Sequence, residues 1–273
     1  MRYIMHIMVA FLIGFTGCGE QKEAKNSQVK EHAELLFYVG ITMVKPMTEL
    51  ANRFERKEGV KIKILQGGSE DLYQSAKSSK AGDLYMPGSL SYRTKYLGEG
   101  VMENDAVFVG YNRAALMVSK GNPKGVDANL NVLLDERYKT VLCNPESGSI
   151  GSQTKKILTT AGIYNDAMAK AVYLTTDSRN LIKAIKEKDA DVILNWRATA
   201  FWEGNKEIVD VLDLPEAVAP KSVLVLTLLK SSRHPDIIRK FMAYAKSQEG
   251  REVFHAYGFL NDDELAKFDT LSF

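Results

Sequence analysis

The chain has 273 residues, is 45% hydrophobic and 26% charged, and carries a net charge of +2. This length can bury a sizeable core in one large domain or two modest ones, and the scattered, nearly balanced charge excludes an electrostatic footprint for nucleic acid. Two cysteines, Cys18 and Cys143, give no disulfide framework, and His6, His32, His234 and His255 show no metal-ligand spacing.

Met1-Arg2 supplies a small positive start, and residues 3–15 form an apolar run interrupted by His6. The run is too short to span a bilayer comfortably and has the form of a secretory signal over 1–17. Phe15-Thr16-Gly17-Cys18 resembles the bacterial lipobox, with Phe15 in place of the usual leucine. That resemblance implies that Cys18 becomes the lipidated mature amino terminus and attaches the chain to a membrane. Residues 20–32 are polar and charged, so 18–33 reads as a flexible tether.

Leu35-Leu36-Phe37-Tyr38-Val39 suits a buried strand of a parallel sheet. Gly40-Ile41-Thr42-Met43 is a turn, Pro46 falls in the first turn of a helix, and Met47, Leu50, Ala51 and Phe54 follow at helical spacing. Residues 60–65 alternate lysine with apolar side chains and end in the turn Gln66-Gly67-Gly68-Ser69 before a helix carrying Leu72, Tyr73 and Ala76. A third strand, 82–86, ends at Pro87-Gly88-Ser89. Strand-turn-helix units with a hydroxyl residue at the turn predict a parallel α/β sheet, which binds ligands beyond the carboxyl ends of its strands.

Residues 107–109 and 114–118 are apolar runs on either side of a polar turn, read as the crossing into a second lobe. A short helix at 130–134 precedes a strand at 140–143. That strand leads into Asn144-Pro145-Glu146-Ser147-Gly148-Ser149-Ile150-Gly151-Ser152 and a helix to 161, an arrangement that aims backbone N–H groups and hydroxyls past a helix start. Further strands are expected at 172–174, 191–197, 209–212 and 222–229, the last as the return crossing. Ser178 opens the helix bearing Leu181, Ile182 and Ile185; helices at 237–245 and 250–259 close the chain. Trp202 reads as structural, and Cys143 as a buried small hydrophobe with no base placed to make it a nucleophile.

The order of these pieces resembles the type II periplasmic solute-binding proteins of ABC importers, most closely the molybdate-binding group, over roughly residues 35–259. The resemblance rests on Phe37-Tyr38-Val39-Gly40-Ile41-Thr42-Met43, Gly67-Gly68-Ser69, Ala81-Gly82-Asp83-Leu84-Tyr85, the Asn144-Pro145 to Gly151 loop, Ser247-Gln248-Glu249-Gly250 and Tyr257-Gly258-Phe259. It implies an α/β, two-lobed fold, each lobe a mainly parallel sheet flanked by helices, joined by two crossing strands. Lobe 1 is expected at 34–110 plus 223–273, and lobe 2 at 111–222.

It further implies a ligand site of Thr42 and Ser69 hydroxyls from lobe 1, with Ser149, the backbone N–H groups of Ile150 and Ser178, and Trp196 from lobe 2. Trp196 stands where the family has a tyrosine, and Arg197 follows it. Hydroxyls and N–H groups are donors suited to an unprotonated dianion such as molybdate, tungstate or sulfate. A protonated ligand would want an acceptor, which Glu146, Asp71 or Asp177 could supply, while Arg179 and Arg197 could clamp a carboxylate or phosphate.

The expectation is therefore a monomeric extracytoplasmic binding lipoprotein that hands a tetrahedral oxyanion to a membrane permease, without cofactor, metal or catalytic residue. The alternatives are a binder of a small organic or phosphorylated anion through Arg197, or an enzyme on the same fold.

Overall fold

The computed structural model describes residues 33–271. The expected signal peptide, Cys18 and all but the last residue of the tether lie outside the described residues. Two five-stranded sheets, each flanked by helices, form the two lobes.

The first lobe begins with β1 (Glu34–Gly40), α1 (Val44–Glu58), β2 (Lys61–Gly67), α2 (Ser69–Ser79), β3 (Leu84–Met86), α3 (Leu90–Tyr96) and β4 (Met102–Asn112). The continuous apolar run of β1 is sandwiched between β2 and β3, both parallel to it. Strand β2 lies at the sheet edge, where Lys61 and Lys63 are exposed, a placement that discourages further pairing. Helix α1 stops at Gly59, whose φ of 67° is left-handed, with its N–H on the Glu55 carbonyl.

The chain then enters the second lobe: β5 (Ala114–Ser119), β6 (Thr140–Cys143), α4 (Ser149–Thr160), α5 (Tyr164–Lys170), β7 (Leu174–Thr175), α6 (Ser178–Lys186), β8 (Val192–Trp196) and β9 (Val209–Leu212). It returns through β10 (Ser222–Leu229) and finishes with α7 (Pro235–Lys246), α8 (Gln248–Ala256) and α9 (Asp262–Ala266).

Strand order is β2-β1-β3-β10-β4 in one sheet and β7-β6-β8-β5-β9 in the other. Both sheets are mixed but mainly parallel, with one reversed strand in each, β10 and β5, against four that run the same way. In each, the strands next to the crossing run antiparallel: β10 against β3 and β4, and β5 against β8 and β9. The long β4 extends well to either side of the short apolar run read at 107–109, because β10 lies along it from Ser222 to Leu229.

Each lobe has its own core. Phe37, Met47, Phe54, Phe241 and Phe254 fill the first, with Phe241 edge-on to Phe37 and Phe54 at centroid separations of 4.8 and 5.2 Å. Leu116, Val141, Leu158, Leu181, Ile193 and Trp196 fill the second. The carboxyl ends of the parallel strands in both sheets lead into turns that face one another, and the candidate site lies there.

Candidate functional site

Four turns converge. Gly40-Ile41-Thr42 leads out of β1, Gly67-Gly68-Ser69 joins the end of β2 to the start of α2, Gly148-Ser149-Ile150 leads into α4, and Thr176-Asp177-Ser178 leads into α6. With Trp196 at the end of β8, these residues line one small cavity of ≈ 20 Å³. The cavity is small because the turns of the two lobes stand close together around it. Among the described residues that line it, none is lysine, arginine or histidine.

Thr42, Ser69, Ile150, Ser178 and Trp196 are all buried, and Ser149 is half-buried. The structure therefore brings together six of the seven residues singled out from the sequence. Arg197 is not among them. It follows Trp196 but turns to a different cavity that it shares with Arg113, Lys206, Asp213 and Lys221. Its Nε donates to Asp213 at 2.8 Å, and its guanidinium lies 4.9 Å from the centre of the Phe201 ring.

The helix starts differ in a way that matters. Gly68 before α2 and Gly148 before α4 provide no side-chain cap. The first amides of a helix have no partner within the helix, so these two termini present donors toward the cavity. Helix α6 is different: the Asp177 carboxylate accepts from the N–H groups of Arg179 and Asn180 at 2.7 and 3.0 Å. Asp177 is thus already committed as a cap.

The hydroxyls are held by N–H groups. Ser69 Oγ accepts from the Gly88 amide at 2.9 Å, and Ser149 Oγ accepts from Trp196 Nε1 at 3.1 Å. Thr42 Oγ1 receives Asn112 Nδ2 at 3.5 Å and donates to the Met43 sulfur at 2.8 Å. Behind Ser69, the Tyr85 hydroxyl donates to the Ser69 carbonyl at 2.8 Å.

Two asparagines that the sequence reading passed over anchor these turns. Asn112 ends β4 and donates to the Gly88 carbonyl at 2.9 Å, while its own Oδ1 is buried without a partner. Asn195 is fully buried; its Nδ2 donates to the Ser178 carbonyl at 3.1 Å and its Oδ1 accepts the Trp196 amide at 2.8 Å. A polar residue on an otherwise apolar strand was the available signal.

Contact between the lobes is tight. A Cβ placed on Gly88 would lie 2.3 Å from Ser149 Oγ, and one on Gly68 would lie 2.8 Å from the Ser147 carbonyl oxygen. Of the acceptors considered, Glu146 is exposed beside Lys155 and Asp71 packs near Gly68. Cys143 is fully buried, and burial pushes its thiol up to about 11, which makes it a poor nucleophile. Among the described residues, no group of histidine, cysteine or acidic side chains is placed to hold a metal ion, and no helix is long and apolar enough to cross a membrane.

The profile of a bacterial extracellular solute-binding protein family matches residues 35–260. A putative ABC transporter substrate-binding lipoprotein of Bacillus subtilis strain 168 is 24% identical over 257 residues, covering 92% of this chain and 95% of the relative. The periplasmic molybdate-binding protein of Azotobacter vinelandii superposes with a TM-score of 0.69 at 15% identity, over 83% of this chain and 99% of the other. The sulfate-binding protein SubI of Mycobacterium tuberculosis H37Rv superposes with a TM-score of 0.73 at 15% identity, over 89% and 92%.

Proposed function

The chain belongs to the bacterial extracellular solute-binding protein family, and from that premise we propose that it captures a tetrahedral oxyanion of the molybdate and tungstate class between its lobes for delivery to an ABC importer. The observation that carries this reading is the cavity lining: hydroxyls and two uncapped helix starts, without a cationic side chain among the described residues. Helix amino termini stabilise an anion without a full counter-charge. A fully ionised dianion only accepts hydrogen bonds and so matches a set of donors.

The small volume favours a compact inorganic anion over an organic one. A tetrahedral anion enters with the lobes apart and draws them together, a hinge closure. We assign the lobes to 34–110 plus 223–273 and to 111–222, so that the first is built from both ends of the chain. Arg197 plays no part in binding on this reading, because it is paired with Asp213 outside the cavity. The similarity to a lipoprotein of Bacillus subtilis supports membrane attachment through Cys18, and mass spectrometry of the membrane-extracted protein tests it.

Ligand-induced melting shifts across molybdate, tungstate, sulfate, phosphate and small carboxylates test the function, since an anion that binds only the native state raises its stability. Molybdate and tungstate are expected to raise the melting temperature most. A shift produced only by an organic anion contradicts the proposal.

A further inference from the structure

We propose that Trp196 is a selectivity-setting positioning residue: its indole N–H fixes Ser149 as a donor, and thereby biases the cavity against anions that carry a proton. The inference rests on the oxyanion reading given above.

A serine hydroxyl has one proton and two lone pairs. Trp196 Nε1 takes one lone pair of Ser149 Oγ at 3.1 Å. Gly88 presses on the same oxygen from the opposite lobe, closely enough that a Cβ there would meet it at 2.3 Å. The directions left to Ser149 are thus restricted, and its proton is free for the cavity that both side chains line. Accepting one hydrogen bond also strengthens the one the hydroxyl donates, because such chains polarise one another.

The indole has no acceptor atom and no second donor. Once bonded to Ser149 it has nothing further to offer a ligand, so its effect passes through the serine. Trp196 is 1% exposed and belongs to the core of the second lobe, so the indole cannot swing away to re-aim the N–H. The ring is fixed as well by the bond from its backbone amide to Asn195 Oδ1 and by the Thr199 hydroxyl on its carbonyl at 2.8 Å.

Ser69 repeats the arrangement in the first lobe with the Gly88 amide in place of the indole. Two hydroxyls on opposite lobes are therefore pre-set as donors before a ligand arrives. Asp177, the carboxylate among the lining residues, is engaged by two amides of α6. A monohydrogen anion such as phosphate near neutral pH would find its own proton facing donors, and an unpaired buried donor is costly.

The test is a double-mutant cycle in calorimetry with molybdate, sulfate and phosphate as probes, on wild type, Trp196→Phe, Ser149→Ala and the double variant. Trp196→Phe keeps an aromatic body and removes the N–H. It should weaken molybdate and sulfate about tenfold, the scale of one charge-assisted hydrogen bond, and weaken phosphate less, so the ratio falls. Ser149→Ala should do the same, and the double variant should be no worse than Ser149→Ala alone, because the indole acts through that hydroxyl. Losses that multiply, or an unchanged anion ratio in Trp196→Phe, overturn the inference and mark Trp196 as a packing residue only. If Trp196→Phe does not fold, Ser149→Ala decides alone: an unchanged ratio of molybdate to phosphate affinity overturns the proposal. Failure of the wild type to bind any of the three anions is a distinct result that removes the oxyanion reading and this inference together.

Discussion

Lys221 reaches Glu264 at 3.2 Å at the point where the chain returns to the first lobe, and Arg113, at the outward crossing, is ion-paired to the same carboxylate. The Tyr111 ring packs against both cations, its centre 4.4 Å from Lys221 Nζ and 5.5 Å from the Arg113 guanidinium. Glu264 is 8% exposed and is fixed by a reciprocal capping box with Asn261 at the start of α9. One carboxylate near the carboxyl terminus thus ties down both segments that join the lobes.

Glu264→Gln is expected to destabilise the protein by about 1–3 kcal/mol, since a hydrogen-bonded charge is lost while Arg113 stays half-buried. Burial works to raise the Glu264 carboxyl, but the Asn261 amide, Arg113 and Lys221 together hold it below the ordinary carboxylate range. A depressed folded pKa contributes stability that is fully present above the unfolded pKa and is lost as pH falls through the folded value. Denaturant unfolding should therefore show the gap between wild type and Glu264→Gln at neutral pH closing in acid. A gap that is constant with pH would refute the assignment.

Gly88→Ala should leave the fold intact and impair closure. Gly88 has no left-handed backbone requirement, but its Cβ would sit 2.3 Å from Ser149 Oγ across the lobes. Anion affinity should fall at least about tenfold through the strain of overpacking, with little change in melting temperature for the unliganded protein. Undiminished affinity by calorimetry would show that the lobes do not meet there in the bound state.

Asn195→Ala removes three hydrogen bonds from a fully buried site, two from Nδ2 to the Ser178 carbonyl and the Thr199 hydroxyl and one to the Trp196 amide. Orphaning those partners should cost about 2–4 kcal/mol in equilibrium unfolding and weaken anion binding, because the Ser178 turn and Trp196 lose their support. A loss below about 1 kcal/mol would show that water replaces the amide.

Arg197→Ala should change anion affinity less than twofold. Its partner Asp213 is exposed, and exposed ion pairs contribute about 0–1 kcal/mol, so the effect on stability should also be small. Loss of binding in this variant would return the site to an organic or phosphorylated anion.

The strand-turn-helix rhythm was legible because each buried strand is a short apolar run closed by a small-residue turn, as at Phe37 and Gly40 or Val141 and Ser147. That rhythm places turns at the strand ends, and the resemblance to the molybdate-binding group is what points to Thr42, Ser69, Ile150 and Ser178 within them. The side that Arg197 faces was not legible. The strand ends at Trp196 and a 3-10 turn, Arg197–Phe201, begins at once, so the two-residue alternation that assigns faces stops between those neighbours. Helices α3 and α5 are short and weakly patterned and were passed over. Asn112 and Asn195 act across 24 and 17 residues of chain, contacts that depend on how the strands register.

The central claim is that the cavity takes an unprotonated tetrahedral oxyanion on neutral donors. Titration calorimetry of the wild type and Ser69→Ala with molybdate tests it most directly. The account predicts saturable binding at one anion per chain in the wild type, weakened by about 1–3 kcal/mol when the Ser69 hydroxyl is removed. No binding of molybdate, tungstate or sulfate by the wild type, or binding that is indifferent to Ser69→Ala, would contradict it.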